Sequence, residues 1–506
     1  MVEPVREDCH TDEAAFVHRM AYSNRVNRRA IREMEQYGKV TPELIEALKA
    51  AVPDGVASGS EIKEKFSHDE MVIYGKFMPD AVVEAETTEE VAAVMKLCNE
   101  HRIPVTPRGS GSGLVGGAVP AQGGVLLSTT KMNKILGYDT ENMVVRVQSG
   151  VRLYDLARDA EKKGLLYPPD PGEKFATLGG NVATNAGGMR AVKYGTTRDY
   201  VRAMTVVLPT GEITYLGSPV SKTSSGYSLL NLMIGSEGTL GIITELTLKV
   251  IPAPKVAVSM VALYKDLDDC IASVPALVRS GLEPQTLEFM ERDIVQLSEA
   301  FRKKDTYERI FEGVEGNAYL LVTFDGNDEE AIQKTMDEAA KIMRASGALD
   351  VHTLDDVKQK NDAWATRSYL LGCIKVNAKL LDESDVVVPV NEIARYVHFI
   401  KEIARDYDFD VKSFGHAGDG NLHIYNISNE MDEEEFKRQV ASFMEKAYDK
   451  AVELGGQVSG EHGIGRGKVR YLSRMAGPVN MRLMKGIKEV FDPNMVLNPG
   501  KVCYEL

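Results

Sequence analysis

The chain has 506 residues, 43% of them hydrophobic and 26% charged, and carries a formal net charge of −14. That length supplies two or three hydrophobic cores, and the composition is that of an ordinary soluble globular protein. The acidic balance excludes nucleic acid as the main partner, because phosphate binding calls for a basic surface. No apolar run approaches the ~20 residues of a membrane helix, and the polar opening Met1-Val2-Glu3-Pro4 has no signal-peptide pattern. Cys9, Cys98, Cys270, Cys373 and Cys503 stand alone, with no C-x-x-C pair. This excludes a recognisable iron–sulfur or zinc-ribbon module and fits a reducing compartment, so a cytoplasmic location is expected.

Residues 11–50 read as two helices, with Thr11 and Thr41 as N-caps and Pro42 in the first turn. Arg25, Arg28, Arg29 and Arg32 recur at helical spacing, a solvated face first and a docking stripe for an acidic partner second. From about Met78, short strands and helices alternate with glycine segments. Ala81–Ala85 reads as a strand, Thr88–His101 as an amphipathic helix and Ile103–Pro107 as a strand again. Further strands are expected at Val144–Val147, Ala203–Leu208 and Ile242–Val250. Pro252-Ala253-Pro254 marks a boundary, after which Val256–Tyr264, Leu267–Ser280 and Ala318–Phe324 read as strand, helix and strand. Asn391–Tyr407 and Met431–Leu454 are expected helices, and a last helix precedes Leu497-Asn498-Pro499-Gly500-Lys501. The implied units are an N-terminal extension (1–55), a first domain (56–253), a second domain (254–474) and a closing segment (475–506).

Two short segments near the C-terminus concentrate the chemistry. Gly415-His416-Ala417-Gly418-Asp419-Gly420-Asn421-Leu422-His423 and Ser459-Gly460-Glu461-His462-Gly463 hold three of the nine histidines. His416, His423 and Glu461 form a two-histidine, one-carboxylate set suited to a divalent metal with open positions; zinc, manganese and ferrous iron all accept it. His462 is left beside the carboxylate, where it can act as a base. A loop leading into the strand Leu422–Tyr425 is expected to aim both imidazoles at one point.

Three glycine segments lie in the first domain: Arg108-Gly109-Ser110-Gly111-Ser112-Gly113, Thr177-Leu178-Gly179-Gly180-Asn181-Val182-Ala183-Thr184-Asn185-Ala186-Gly187-Gly188, and Gly235-Ser236-Glu237-Gly238-Thr239-Leu240-Gly241-Ile242-Ile243. The first is neither a Rossmann fingerprint nor a P-loop, but it offers a row of backbone N–H groups suited to pyrophosphate. In order and wording the three resemble the FAD-binding domain of the vanillyl-alcohol oxidase / p-cresol methylhydroxylase superfamily. With the histidine segments included, residues 56–506 resemble the group of D-lactate dehydrogenase, glycolate oxidase large subunit and D-2-hydroxyglutarate dehydrogenase.

The resemblance implies an α+β protein: a two-subdomain FAD-binding domain, a cap domain with an antiparallel sheet carrying the metal site, and a C-terminal segment returning to the flavin. It implies FAD contacts from Arg108, Gly109, Ser110, Gly111, Ser112 and Gly113 at the pyrophosphate, and from Thr177, Gly179, Gly180, Ala183, Thr184, Gly187 and Gly188 at the ribityl chain and ring. Ile242 and Ile243 are implied near the adenine half, and Asn498 at the flavin. The stretch Gly111-Ser112-Gly113 has no histidine, so the FAD is expected to be non-covalent. His416, His423 and Glu461 are implied as metal ligands, His462 as the base and Arg367 as the cation for the substrate carboxylate. Relatives that take dicarboxylates carry a basic residue two places before the Asp of the D-x-x-x-P strand, where this chain has Glu383 before Asp385. The expected activity is therefore oxidation of a small D-2-hydroxy acid, D-lactate first and glycolate next. Electrons are expected to leave through an electron-transferring flavoprotein, an iron–sulfur subunit or a quinone. An oxidase, or an electron-transfer subunit of a multi-flavin complex, is the alternative.

Overall fold

The structure, a computed structural model, describes residues 37–504; Cys9, the helix expected after Thr11 and the arginine stripe lie outside the described residues. Thr41 accepts from the Leu44 N–H and caps the helix Pro42–Ala51, satisfying a donor that the helix itself leaves unpaired. Thr87 and Glu90 form a capping box on the helix Thr88–Glu100.

Strands β1 (Val56–Ser58), β2 (Ala81–Glu84), β3 (Val105–Arg108) and β4 (Val125–Ser128) make a sheet in the order β1-β2-β4-β3. β2 and β3 both run parallel to β4. Parallel strands need a crossover, and the helix Thr88–Glu100 lies in the one between β2 and β3. The chain continues through β5 (Ile135–Asp139), β6 (Val144–Gln148), the two-residue β7 (Leu165–Leu166), β8 (Val201–Val207), β9 (Ile213–Gly217) and β10 (Ile242–Lys249). All but β7 form an antiparallel sheet in the order β5-β6-β10-β8-β9, while β7 pairs with β11 (Ile251–Pro252). The second glycine segment, which reads from sequence as a loop, folds in part into the helix Leu178–Thr184.

After the proline boundary come β12 (Val256–Tyr264), β13 (Thr286–Glu291), β14 (Ala318–Gly326), β15 (Ala348–Thr353), β16 (Leu380–Val387), β17 (Asp410–His416) and β18 (Asn421–Ser428). They build an antiparallel sheet in the order β15-β12-β14-β13-β17-β18-β16. The helices Leu267–Arg279, Glu329–Ala345, Ile393–Ala404 and Glu433–Glu453 pack on one face of it. Leu287, Phe289, Leu320, Leu422 and Ile424 supply the sheet's side of that core. The last helix, Val469–Phe491, breaks at Gly477 before Pro478. Beyond it the chain comes back to the first domain: the Val105 N–H donates to Val496 O and the Asn498 N–H to Val105 O, both at 2.7 Å. The α+β architecture and the antiparallel cap sheet are those expected from the sequence.

Candidate functional site

Period-two alternation decides which side chains meet. On β17, Phe414 and His416 face one way; on β18, Asn421, His423 and Tyr425 face the same way, because Phe414 pairs with His423 and His416 with Asn421. Register carries the same face to Glu288 on β13, opposite His416, and to Glu383 and Asp385 on β16, opposite Tyr425 and His423. The glycines around His416 predict a loop there. It is instead the last residue of a strand, and the turn Ala417–Gly420 is so tight that a Cβ on Gly420 (φ 84°) would sit 1.9 Å from Val388 O.

Asp385, fully buried, brings in the second segment. Its Oδ2 accepts from the backbone N–H groups of Gly460 (3.0 Å), Glu461 (3.1 Å) and His462 (2.9 Å), and from the Ser459 hydroxyl (2.7 Å). Glu461 and His462 are thereby set against the two strand histidines. His416 Nε2, His423 Nε2 and Glu461 Oε1 lie 3.4 to 3.6 Å from one another, and His462 Nε2 is 3.6 Å from the same oxygen. The opposite ring nitrogens are anchored: His416 Nδ1 to Glu288 (2.7 Å), His423 Nδ1 to Glu383 (3.3 Å) and His462 Nδ1 to Glu383 (2.8 Å).

Four carboxylates, the buried Glu288, Glu383 and Asp385 and the half-buried Glu461, thus share this volume with two paired cations. Arg367 grips Glu288 through Nε (2.8 Å) and Nη2 (2.6 Å), and Lys468 Nζ lies 3.7 Å from Asp385. With neutral histidines the group carries a surplus of two negative charges. The surplus shows in the proton affinities. Burial alone lowers that of His416, but the Glu288 carboxylate more than reverses it and raises the pKa to about 10. His462 is likewise pushed well above its ordinary value by Glu383 and Asp385 against burial. Burial raises the pKa of Glu383, and the charge of His462 overrides this to hold it at about 2. Glu461 is held well below the usual carboxylate range in the same way.

This arrangement fits a divalent cation. Ligand atoms about 2.1 Å from a tetrahedral ion stand about 3.4 Å apart, which matches the spacing of His416, His423 and Glu461. Glu461 Oε2 is buried and has no hydrogen-bond partner among the described residues, a costly state for a carboxylate unless a cation serves it. Glu383, His423 and His462 also converge, but there the histidine nitrogens are Nδ1 atoms already bonded to Glu383.

The cluster closes one side of a cavity of about 500 Å³. The other side is glycine wall: Arg108 to Gly113, Thr177, Gly179, Gly180, Ala183, Thr184, Ile242 and Ile243 all line it. Among the described residues, none of the backbone N–H groups from Gly109 to Leu114 donates a hydrogen bond, so they remain available to an anionic ligand. A Cβ on Gly109 would lie 2.1 Å from Thr177 Oγ1, so glycine is what lets the two segments approach. These features fit a dinucleotide with its pyrophosphate on the loop.

Three of the expected cofactor residues do not line the cavity. Gly187 stands behind it, where a Cβ would meet Glu461 Oε2 at 3.0 Å; a Cβ on Gly188 would meet the Asp170 carbonyl oxygen at 2.3 Å. Asn498, fully buried, donates to the carbonyls of Gly117 (3.1 Å) and Glu237 (2.8 Å) and so ties the chain just beyond the first glycine segment to the third. The Arg108 side chain lines the cavity but donates to the carbonyls of Lys65, His68 and Ala118, leaving the backbone as its contribution. The Glu383 carboxylate, at the position where the resemblance places a basic residue in dicarboxylate-taking relatives, lies behind two histidines and does not line the cavity.

Sequence reasoning misses Glu288 altogether and misses the anchoring roles of Glu383 and Asp385. The available signal is an acidic side chain inside an otherwise apolar strand, as in Leu287-Glu288-Phe289. It also passes over Glu237, which accepts from the N–H groups of Ile464 and Gly465, both at 2.7 Å, and joins the third glycine segment to the loop after His462.

Comparison with known proteins finds FAD-linked relatives over both domains. Residues 79–217 match the family model described as FAD binding domain, and residues 253–502 match FAD linked oxidases, C-terminal domain. Over 471 residues the chain is 64% identical to a D-lactate dehydrogenase of Anaerostipes hadrus, covering 93% of this chain and 99% of that one. It is 38% identical over 441 residues to the glycolate oxidase subunit GlcD of Bacillus subtilis (strain 168), with 86% and 91% covered. The structure of p-cresol methylhydroxylase with substrate bound matches with a TM-score of 0.74 at 20% identity, over 92% of this chain and 98% of that one, a likeness of fold. No helix among the described residues is long and apolar enough to cross a membrane.

Proposed function

Because the chain belongs to the FAD-linked oxidoreductases of the D-lactate dehydrogenase and glycolate oxidase type, we propose that it oxidises a small D-2-hydroxy acid to the 2-oxo acid. D-lactate is the first choice and glycolate the second. The observation that carries this reading is the facing of two walls across one cavity, a cluster of imidazoles and a carboxylate opposite bare glycine backbone.

His416, His423 and Glu461 would hold a divalent ion, and the lining glycine segments a non-covalent FAD. When bound, the ion supplies a Lewis acid that lowers the pKa of the substrate hydroxyl, and FAD supplies the acceptor for the Cα hydrogen as hydride. His462 Nε2 takes the hydroxyl proton, with its ring fixed by Glu383 at Nδ1. The neutral imidazole that this requires fits a site whose two surplus negative charges are offset by a dication rather than by protons on histidine. Arg367 lines the same cavity, its plane fixed by Glu288, and would meet the substrate carboxylate. Asp385 keeps Glu461 and His462 in register by holding their backbone N–H groups. The described cysteines are single and buried, so electrons would pass to a separate acceptor: an electron-transferring flavoprotein, an iron–sulfur subunit or a quinone.

The test is anaerobic flavin bleaching. Metal-loaded protein is mixed with D-lactate, L-lactate, glycolate or D-2-hydroxyglutarate, and the flavin absorbance is followed. Bleaching by D-lactate that EDTA abolishes is the expected result. Bleaching by L-lactate instead, or bleaching insensitive to EDTA, overturns the stereochemical or the metal part of the reading.

A further inference from the structure

Three cationic side chains line the cavity among the described residues: Arg108, Arg367 and Lys375. They are committed to very different degrees. Arg108 is bonded to three backbone carbonyls. Arg367 is buried, with two of its nitrogens on the fully buried Glu288, so its charge is largely cancelled in place. Lys375 has one partner, Glu70, at 2.9 Å, and both side chains are partly exposed, at 30% and 52%. An exposed pair of this kind contributes at most about 1 kcal/mol, so another carboxylate can displace Glu70.

Position makes this exchange useful. Arg367, Ser368, Leu371, Gly372 and Lys375 all line the cavity, the first two at the end of the helix Val357–Ser368 and the others on the helix Leu370–Asn377, and exposure rises from the buried Arg367 to the partly exposed Lys375. Glu70 comes from the opposite domain, on the segment whose backbone N–H donates to Gly113 O in the first glycine loop. The pair therefore spans the cavity between its two walls. The chain as a whole carries −14, and that field disfavours approach of an anion unless a local cation receives it.

We propose that Lys375 captures the carboxylate of the incoming substrate by exchanging it for Glu70, beside the contact that Arg367 would make, so that the Lys375–Glu70 pair sets the affinity for small organic anions. This rests on the reading of the site as one for a 2-hydroxy acid. It assigns Lys375 a binding role and Glu70 the role of its competitor, which gives the two residues opposite mutational signs. A pair that merely latches the domains together would give them the same sign.

The experiment uses the FAD- and metal-loaded protein and two readouts: binding of oxalate by calorimetry, and KM and kcat for D-lactate. Lys375→Met should weaken oxalate binding and raise KM about tenfold, the loss of one charge-assisted contact, with a much smaller effect on kcat. Lys375→Arg should stay near wild type, which guards against misfolding of the methionine variant. Glu70→Gln should tighten oxalate binding and lower KM a few-fold, and should do nothing further once Lys375 is Met. Shifts of the same sign in Glu70→Gln and Lys375→Met overturn the proposal, as does wild-type protein that fails to bind oxalate. If D-lactate fails to reduce the flavin but the oxalate pattern holds, the substrate assignment falls and the capture role stands. The converse result removes Lys375 and leaves the reaction in place.

Discussion

On one side of the cavity stand Gly109 to Gly113, Gly179 and Gly180, which offer backbone and almost no side chain. On the other stand His416, His423, Glu461 and His462, each polar, each part of a buried charged network. The first wall works by what it omits: close approach of two segments leaves donors with no competitor in the protein. The second works by excess, since every catalytic-type side chain is backed by a second carboxylate that fixes its ring or its backbone. The difference implies that the walls fail separately. Damage to the glycine wall should cost flavin and spare the metal, and damage to His416, His423, Glu461 or the carboxylates behind them should do the reverse.

The largest effect expected is at His462. His462→Ala should retain flavin and metal yet slow substrate reduction of the flavin by about 10²- to 10⁴-fold, the range for loss of a positioned base; anaerobic stopped-flow absorbance measures it, and rapid reduction would remove His462 from that role. Glu383→Gln comes next. It loosens two rings at once, and metal affinity or turnover should fall about 10- to 100-fold with flavin content unchanged, as metal titration against flavin absorbance would reveal. Gly109→Ala attacks the opposite wall. Its new Cβ collides with Thr177 Oγ1, an overpacking cost of about 1–3 kcal/mol, so FAD should bind roughly tenfold more weakly while metal content holds. Loss of both ligands in either variant would mean that the walls are one cooperative unit.

The two walls are also unequally legible in the sequence. Glycine segments and a His-x₆-His spacing survive as local patterns, so many of the residues that touch the cavity can be named from the sequence alone. Helix caps and strand patterns are equally local, and Thr41 and β12 fold as the sequence predicts. What one dimension hides is the backing layer. Glu288 reaches His416 across 128 positions, and only the pairing of β13 with β17 brings them together. The partners of Asn498 are hidden for the same reason: its segment returns to the first domain, where its side chain donates to the carbonyls of Gly117 and Glu237. Glu383 matches a substrate-contact position along the chain, while the two histidines that face it come from segments far away in sequence.

Buried acids supply the smallest and sharpest form of the contrast. Behind the histidine wall, Glu383 is kept ionised by facing imidazoles, its pKa held down at about 2 despite burial. Beside the glycine wall, Asp69 is also buried, yet its Oδ2 has no partner among the described residues, and Oδ1 has only the Met71 N–H at 3.2 Å. Burial there wins over the neighbouring N–H groups and Arg108, and its pKa rises from 3.8 to about 6. Between those two values the folded chain holds a proton that the unfolded chain has released, so stability falls as pH rises through that window and the loss is complete above it. Asp69→Asn mimics the protonated acid. It should therefore melt about 2 °C higher than the parent at pH 8 and show no gain at pH 4, with thermal unfolding of the flavin-loaded protein as the measurement. A lower melting temperature at pH 8 would mean that the Asp69 charge is compensated, and that the glycine wall, like its counterpart, is braced by an ionised carboxylate.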